Sequence, residues 1–132
     1  MDKTEKIFYR FKHDLKDLKL ECVDLISKTY IEIGQKPDKE TIVLNANLLY
    51  NDLINSYGGM TMNEVRFVFH KSIREGEESS VFLNVRTWNK WLREHKKSEQ
   101  LRRQNRLLTA WSLHEEKQKQ ISTVINNSKL IK

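Results

Sequence analysis

The chain has 132 residues, 38% of them hydrophobic and 32% charged, with a mean hydropathy of −0.70, which suits one polar domain and is too hydrophilic for a membrane protein. No stretch approaches the roughly 18 uncharged apolar residues that a membrane span needs. Four Gly and one Pro are too few for the strand reversals of an all-β architecture, so the expected fold class is all-α, a small bundle of about four main helices with a long basic C-terminal helix.

In chain order, Phe8, Phe11, Leu15, Leu18, Cys22, Leu25 and Thr29 recur at steps of three and four, an apolar seam along one side of a helix. Leu20, Val23, Ile26, Tyr30 and Ile33 widen it. The spacing predicts one helix from about Lys3 to Ile33, or a short first helix with a break between His13 and Lys16; Gly34 and Pro37 supply the stop. Ile42, Val43, Ala46, Leu49, Tyr50, Leu53, Ile54 and Tyr57 repeat the pattern behind Asp38 as N-cap, and Gly58-Gly59 end this second helix. Thr61-Met62-Asn63-Glu64 has capping-box spacing and opens a third helix to about Arg74, with Met62, Val65, Val68, Phe69, Ser72 and Ile73 on one side and Asn63, Arg66, His70 and Arg74 on the other. Glu75–Ser80 reads as a solvent loop and Val81-Phe82-Leu83 as a brief extended return.

Asn84 is the expected N-cap of a fourth helix, on which Val85, Trp88 and Leu92 share one face and Arg86, Lys90, Arg93 and Lys97 the opposite one. Continued further, the faces exchange: Leu101 and Leu108 fall on the formerly basic side, Arg102, Arg103 and Arg106 near the formerly apolar one. A straight helix cannot bury both stripes in one core, so a bend near Lys97–Gln100 or a projecting distal half is expected. No Pro or Gly occurs there to force a sharp kink, which favours projection and self-association through Leu101, Leu107, Leu108 and Trp111. The expected organisation is a bundle over 1–97 and a projecting helix and tail over 98–132 of the same domain, helical to about Ser122, with Val124, Ile125, Leu130 and Ile131 beyond. The expected core includes Phe11, Leu18, Leu49, Leu53, Val65, Phe69, Trp88 and Leu92.

The formal charge is +6, from 24 Lys and Arg against 18 Asp and Glu. Arg86, Lys90, Arg93, Lys96, Lys97, Arg102, Arg103 and Arg106 face only Glu94 and Glu99 within the same segment, so eight against two account for the whole excess. Such a cluster attracts polyanions by releasing their counterions, with nucleic acid the first candidate, anionic membrane the second, and a solvated helix face the plain alternative. Arg86, Lys90, Arg93, Lys97, Arg102, Arg103 and Arg106 are the candidate phosphate contacts. Trp91, away from the Trp88 face, is the candidate for stacking on bases, which would favour single strands. The turn at Gly58-Gly59-Met60 admits a helix-turn-helix placing Asn63, Arg66, His70 and Arg74 on DNA, although a plain helical hairpin is the commoner use of such a turn.

Catalytic signals are weak. His13, His70, His95 and His114 lack metal-ligand spacing, Asp14, Asp17 and Asp24 belong to a salt-patterned helix, and Glu77-Glu78 to a loop. There is neither a phosphate-binding Gly loop nor a Gly-x-Ser-x-Gly elbow. Cys22, without a partner for a disulfide or a Cys-rich metal site, reads as a core residue, and with a polar Met1–Arg10 it fits a reducing cytoplasm. The expectation is a non-enzyme with no metal and no cofactor.

The run Tyr57-Gly58-Gly59-Met60-Thr61-Met62-Asn63-Glu64-Val65, then Phe69, Leu83-Asn84-Val85-Arg86-Thr87-Trp88 and Trp91-Leu92, resembles small helical proteins of bacteriophages and mobile elements over about Leu49–Ser98. Some of these resemble helicase-loader or primosomal accessory proteins. The resemblance implies a DNA-replication accessory in a bacterial host's cytoplasm and carries over no site residue. The alternative partner class is protein: a virion assembly component, or an inhibitor of a host protein.

Overall fold

The computed structural model describes residues 4–76 and 82–130, with side chains through Thr123. Five helices follow one another, α1 (Ile7–His13), α2 (Leu15–Glu32), α3 (Lys39–Ser56), α4 (Met62–Glu75) and α5 (Val85–Leu130), and the described residues contain no strand beyond one isolated antiparallel bridge between Lys6 and Thr61. The all-α bundle expected from sequence is present. Backbone contacts divide the chain into two units, Met1–His95 and Lys96–Lys132.

In the first unit the initial helix is broken, at Asp14 (φ −147°, ψ 45°). Asp14 ends α1 by donating its amide to Arg10 O at 2.7 Å and starts α2 by accepting from Leu18 N at 3.1 Å. Its carboxylate bonds Arg10 at 3.1 Å instead of capping α2. The break turns Ile7 and Arg10 inward, so the predicted seam holds only from Leu18 onward. Phe11, expected in the core, is 41% exposed, and Phe8 and Leu15 are exposed with it. The other expected core residues, Leu18, Leu49, Leu53, Val65, Phe69, Trp88 and Leu92, are all buried.

The helix ends follow from local chemistry. Gly34 (φ +76°) takes the left-handed conformation that releases α2, with Gly34 N donating to Ile31 O at 3.1 Å and Gln35 N to Tyr30 O at 2.9 Å, the paired bonds of a Schellman end. Asp38 caps α3 by accepting from Thr41 N at 2.8 Å. Thr61 caps α4 through Glu64 N at 3.1 Å. The first amides of α1 have no side-chain cap; Ile7 N and Phe8 N donate to Met60 O and Gly58 O at 2.8 and 3.0 Å, so the turn after α3 satisfies them. That approach leaves little room at position 58, where an added Cβ would lie 3.2 Å from Phe8 Cβ and would have to push it back by a few tenths of an ångström.

Beneath α1 lies an ionic cluster. Arg10, 1% exposed, is held by Glu21 and Asp14, and Arg66 of α4 reaches Asp24 at 3.3 Å and Glu21 at 3.6 Å. Burial works against the Arg10 charge, but bonds to Glu21 and Asp14 outweigh it and hold the guanidinium above its ordinary range. Asp24 is held below the usual carboxylate range by its bond to Lys28, opposed by burial and aided by Arg66.

Residues 77–80 of the expected loop, and Val81 of the expected extended return, lie outside the described residues, as do the side chains of Val124, Ile125, Leu130 and Ile131. α5 runs unbroken past Lys97–Gln100, where the sequence left a bend or a projecting distal half open, and helix continues beyond Ser122 to Leu130.

Arg10→Ala should lower stability by about 3–5 kcal/mol in denaturant titration, because it strands carboxylates in a partly buried site. Asp24 stabilises the fold above its unfolded pKa, and that contribution is lost as pH falls through its lowered folded pKa, so the wild type should lose stability in acid more steeply than Asp24→Asn. The Cys22 thiol, pushed up to about 12 by burial, should resist a thiol reagent at neutral pH until the protein unfolds, with labelling rate tracking unfolding.

Candidate nucleic-acid interface

The start of α5 is fixed by a cluster of polar groups. Asn84 accepts from Thr87 N at 2.9 Å as N-cap, and Thr87 Oγ1 donates to Phe82 O at 2.8 Å. Trp88 is fully buried, and its indole N–H donates to Asp52 Oδ2 of α3 at 2.9 Å. The same oxygen accepts from Asn89 Nδ2 at 2.9 Å, and Tyr57 O–H donates to Asn89 Oδ1 at 2.9 Å. Burial pushes the Tyr57 phenol above its ordinary value, keeping it a neutral donor. Leu92 is buried below Trp88 on the same face.

With Trp88 pinned inward, helical geometry turns Arg86, Lys90 and Arg93 outward, each 140–160° away from Trp88 at roughly 100° per residue. All three are exposed. Arg93 Nε donates to Asn89 O at 3.2 Å, which steadies its stem against the helix. From Arg86 to Arg93 this line covers about 10 Å at 1.5 Å per residue.

Trp91 does not stand free. It is half-buried and packs edge-on against Phe69, with ring centroids 5.4 Å apart at 74°. Phe69 covers part of the ring, and stacking on bases would use the part left open. The helix-turn-helix alternative, already the less common use of such a turn, loses support. Arg66 is spent on Glu21 and Asp24, and His70 Nδ1 lies 3.3 Å from Glu32 Oε2, so two of the four predicted recognition residues are turned to α2. Asn63 and Arg74 are exposed.

In the second unit, Lys97, Arg102, Arg103 and Arg106 are exposed, with Arg102 paired to Glu99 at 3.2 Å. This unit has nine Lys and Arg against three Glu, whereas Met1–His95 has 15 of each sign. The predicted interface residues Leu101, Leu107, Leu108 and Trp111 are also exposed.

Sequence reasoning missed Asp52, Asn89 and Tyr57, which orient the basic line from three separate places. It also missed Phe67, 55% exposed on α4, with Lys71 Nζ 5.8 Å above its ring and His95 edge-on at 6.5 Å. His95 Nε2 lies 3.5 Å from Glu64 Oε2, an ion pair when the imidazole is protonated. An open groove of about 380 Å³ along α3, lined by Lys39, Glu40, Val43, Leu44 and Asn47, includes none of the candidate residues.

Comparison with protein-family models, curated proteins and solved structures found no match.

Asp52→Ala should leave the Trp88 indole N–H without its acceptor and cost about 1–3 kcal/mol, with a shift in tryptophan emission as the ring's surroundings loosen. An unchanged unfolding midpoint would show that the hub does not hold α5.

Proposed function

We propose that the chain is a non-enzymatic nucleic-acid-binding accessory protein that holds the DNA backbone through Arg86, Lys90 and Arg93, with Lys97, Arg102, Arg103 and Arg106 adding positive charge. The observation that carries this reading is the exposed line of three cations opposite a pinned Trp88. Cations at one-turn intervals on a rigid helix suit phosphates and read no base edges, so binding is expected to be sequence-tolerant. The resemblance over Leu49–Ser98 suggests the setting, replication of bacteriophage or mobile-element DNA as a helicase-loader-like or primosomal accessory in the host cytoplasm.

A second reading, a protein-interaction module such as a virion assembly component or an inhibitor of a host protein, is favoured by the exposed apolar residues Leu101, Leu107, Leu108 and Trp111. Tryptophan is a frequent interface anchor, and leucines at helical spacing suit a helix laid in a partner's groove.

The decisive measurement is affinity for random duplex DNA as a function of salt. Log affinity should fall linearly with log salt concentration, and the combined variant Arg86→Glu, Lys90→Glu, Arg93→Glu should flatten that slope by about 2.7, three contacts at roughly 0.9 each. Because all three residues are exposed, the variant should keep the circular dichroism of the wild type. Unchanged affinity would remove the basic line from the mechanism.

A further inference from the structure

The described residues of the second unit are all helical, the continuation of α5, and every described side chain from Leu101 to Thr123 is exposed. Helices in proteins draw most of their stability from a covered apolar face, and this one includes Leu101, Leu107, Leu108 and Trp111 at 59–70% exposure. Lys97, Leu101, Gln104, Leu108, Trp111 and Glu115 recur at steps of four, three, four, three and four, a single line suited to pairing with another helix. Along that line the order is a cation, two leucines around a glutamine, a tryptophan and an anion.

We propose that this line is the seam of an antiparallel homodimer whose two-fold axis passes at the level of Arg106. Reversed against itself, the line is complementary throughout: Lys97 meets the partner's Glu115, Leu101 meets the partner's Trp111, and Gln104 meets the partner's Leu108. Leu107 packs beside the axis against the partner's Leu107. An in-register parallel pair would instead set Lys97 on the partner's Lys97 and Glu115 on the partner's Glu115, placing like charges at both ends of the seam. The carboxylate of Glu115 already accepts from the Trp111 indole N–H at 3.0 Å, which directs it along the seam and leaves its second oxygen for an ammonium group. Arg102, Arg103 and Arg106 lie 120° or more around the helix from the seam, so the copies meet without opposing their strongest positive charge.

The inference is independent of nucleic acid and is tested without it, by sedimentation equilibrium of the full chain. The wild type should show a reversible monomer–dimer equilibrium. Lys97→Glu alone and Glu115→Lys alone should each raise the dimer dissociation constant at least about tenfold, because each sets like charges together at both ends. Mixing the two single variants should restore the dimer, since every end then joins unlike charges. All positions changed are exposed, and circular dichroism verifies that the variants remain helical. A wild type that stays monomeric over about a hundred-fold range of concentration would overturn the proposal and leave the stripe to a different partner. So would single variants that dimerise as the wild type does, or a mixture that fails to associate, either of which means another seam or orientation. A dimer formed only when duplex DNA is added would equally overturn it.

Discussion

One carboxylate, that of Asp52, sets the rotation of the fifth helix. By accepting from both the Trp88 indole and the Asn89 amide, it fixes which side of that helix is inside, and the solvent-facing line of Arg86, Lys90 and Arg93 follows from helical geometry alone. The arrangement is robust because the buried indole has one donor and needs one acceptor, while the second amide prevents the carboxylate from swinging away. Tyr57 closes the cluster from the turn after α3, the same turn whose Gly58 and Met60 carbonyls hold the start of α1. A single turn therefore couples the first and last helices of the unit.

Arginine serves opposite purposes in this molecule. Arg10 and Arg66 sit among Asp14, Glu21 and Asp24 and tie α1 and α4 to α2, where the planar guanidinium can satisfy two carboxylates at once. Arg86 and Arg93 are exposed on the first unit, and Arg103 and Arg106 on the second. The first unit as a whole is electrically balanced, so a polyanion gains nothing from its net charge and must be drawn by local lines of cations or by the second unit.

Much of the fold was legible in the sequence, because helix periodicity and end chemistry are local. Asp38, Thr61 and Asn84 each cap the helix they were expected to cap, and seven of eight expected core residues are buried. The break at Asp14 falls in the His13–Lys16 stretch that the sequence offered as an alternative to one long helix, but Phe11 was placed in the core by a seam read straight through it; nothing in the spacing of Phe8, Phe11 and Leu15 signals that a nearby arginine will be buried. Trp91 is more covered than its place away from the Trp88 face suggests, for a related reason. A helical wheel assigns it to the flank of the apolar face, and only the packing of Phe69 from another helix decides that the flank is covered. Arg66 and His70 looked like a recognition face because their carboxylate partners lie some forty residues earlier in the chain. Long-range ion pairs leave no periodic trace.

The unbroken α5 has a consequence for dynamics. Its first turns, through Leu92, share buried side chains with the other helices, so their amide hydrogens can open only when the domain does. From Leu101 to Thr123 every side chain is in solvent, and the backbone hydrogen bonds there are protected only by the helix's own cooperativity. One continuous element thus contains two regimes of stability, and the border between them lies within the helix, with no loop to mark it. Hydrogen exchange along α5 would rise from slow to fast across a few residues near His95, and any ligand or second copy that covers the distal turns would be seen as that border moving toward the C-terminus.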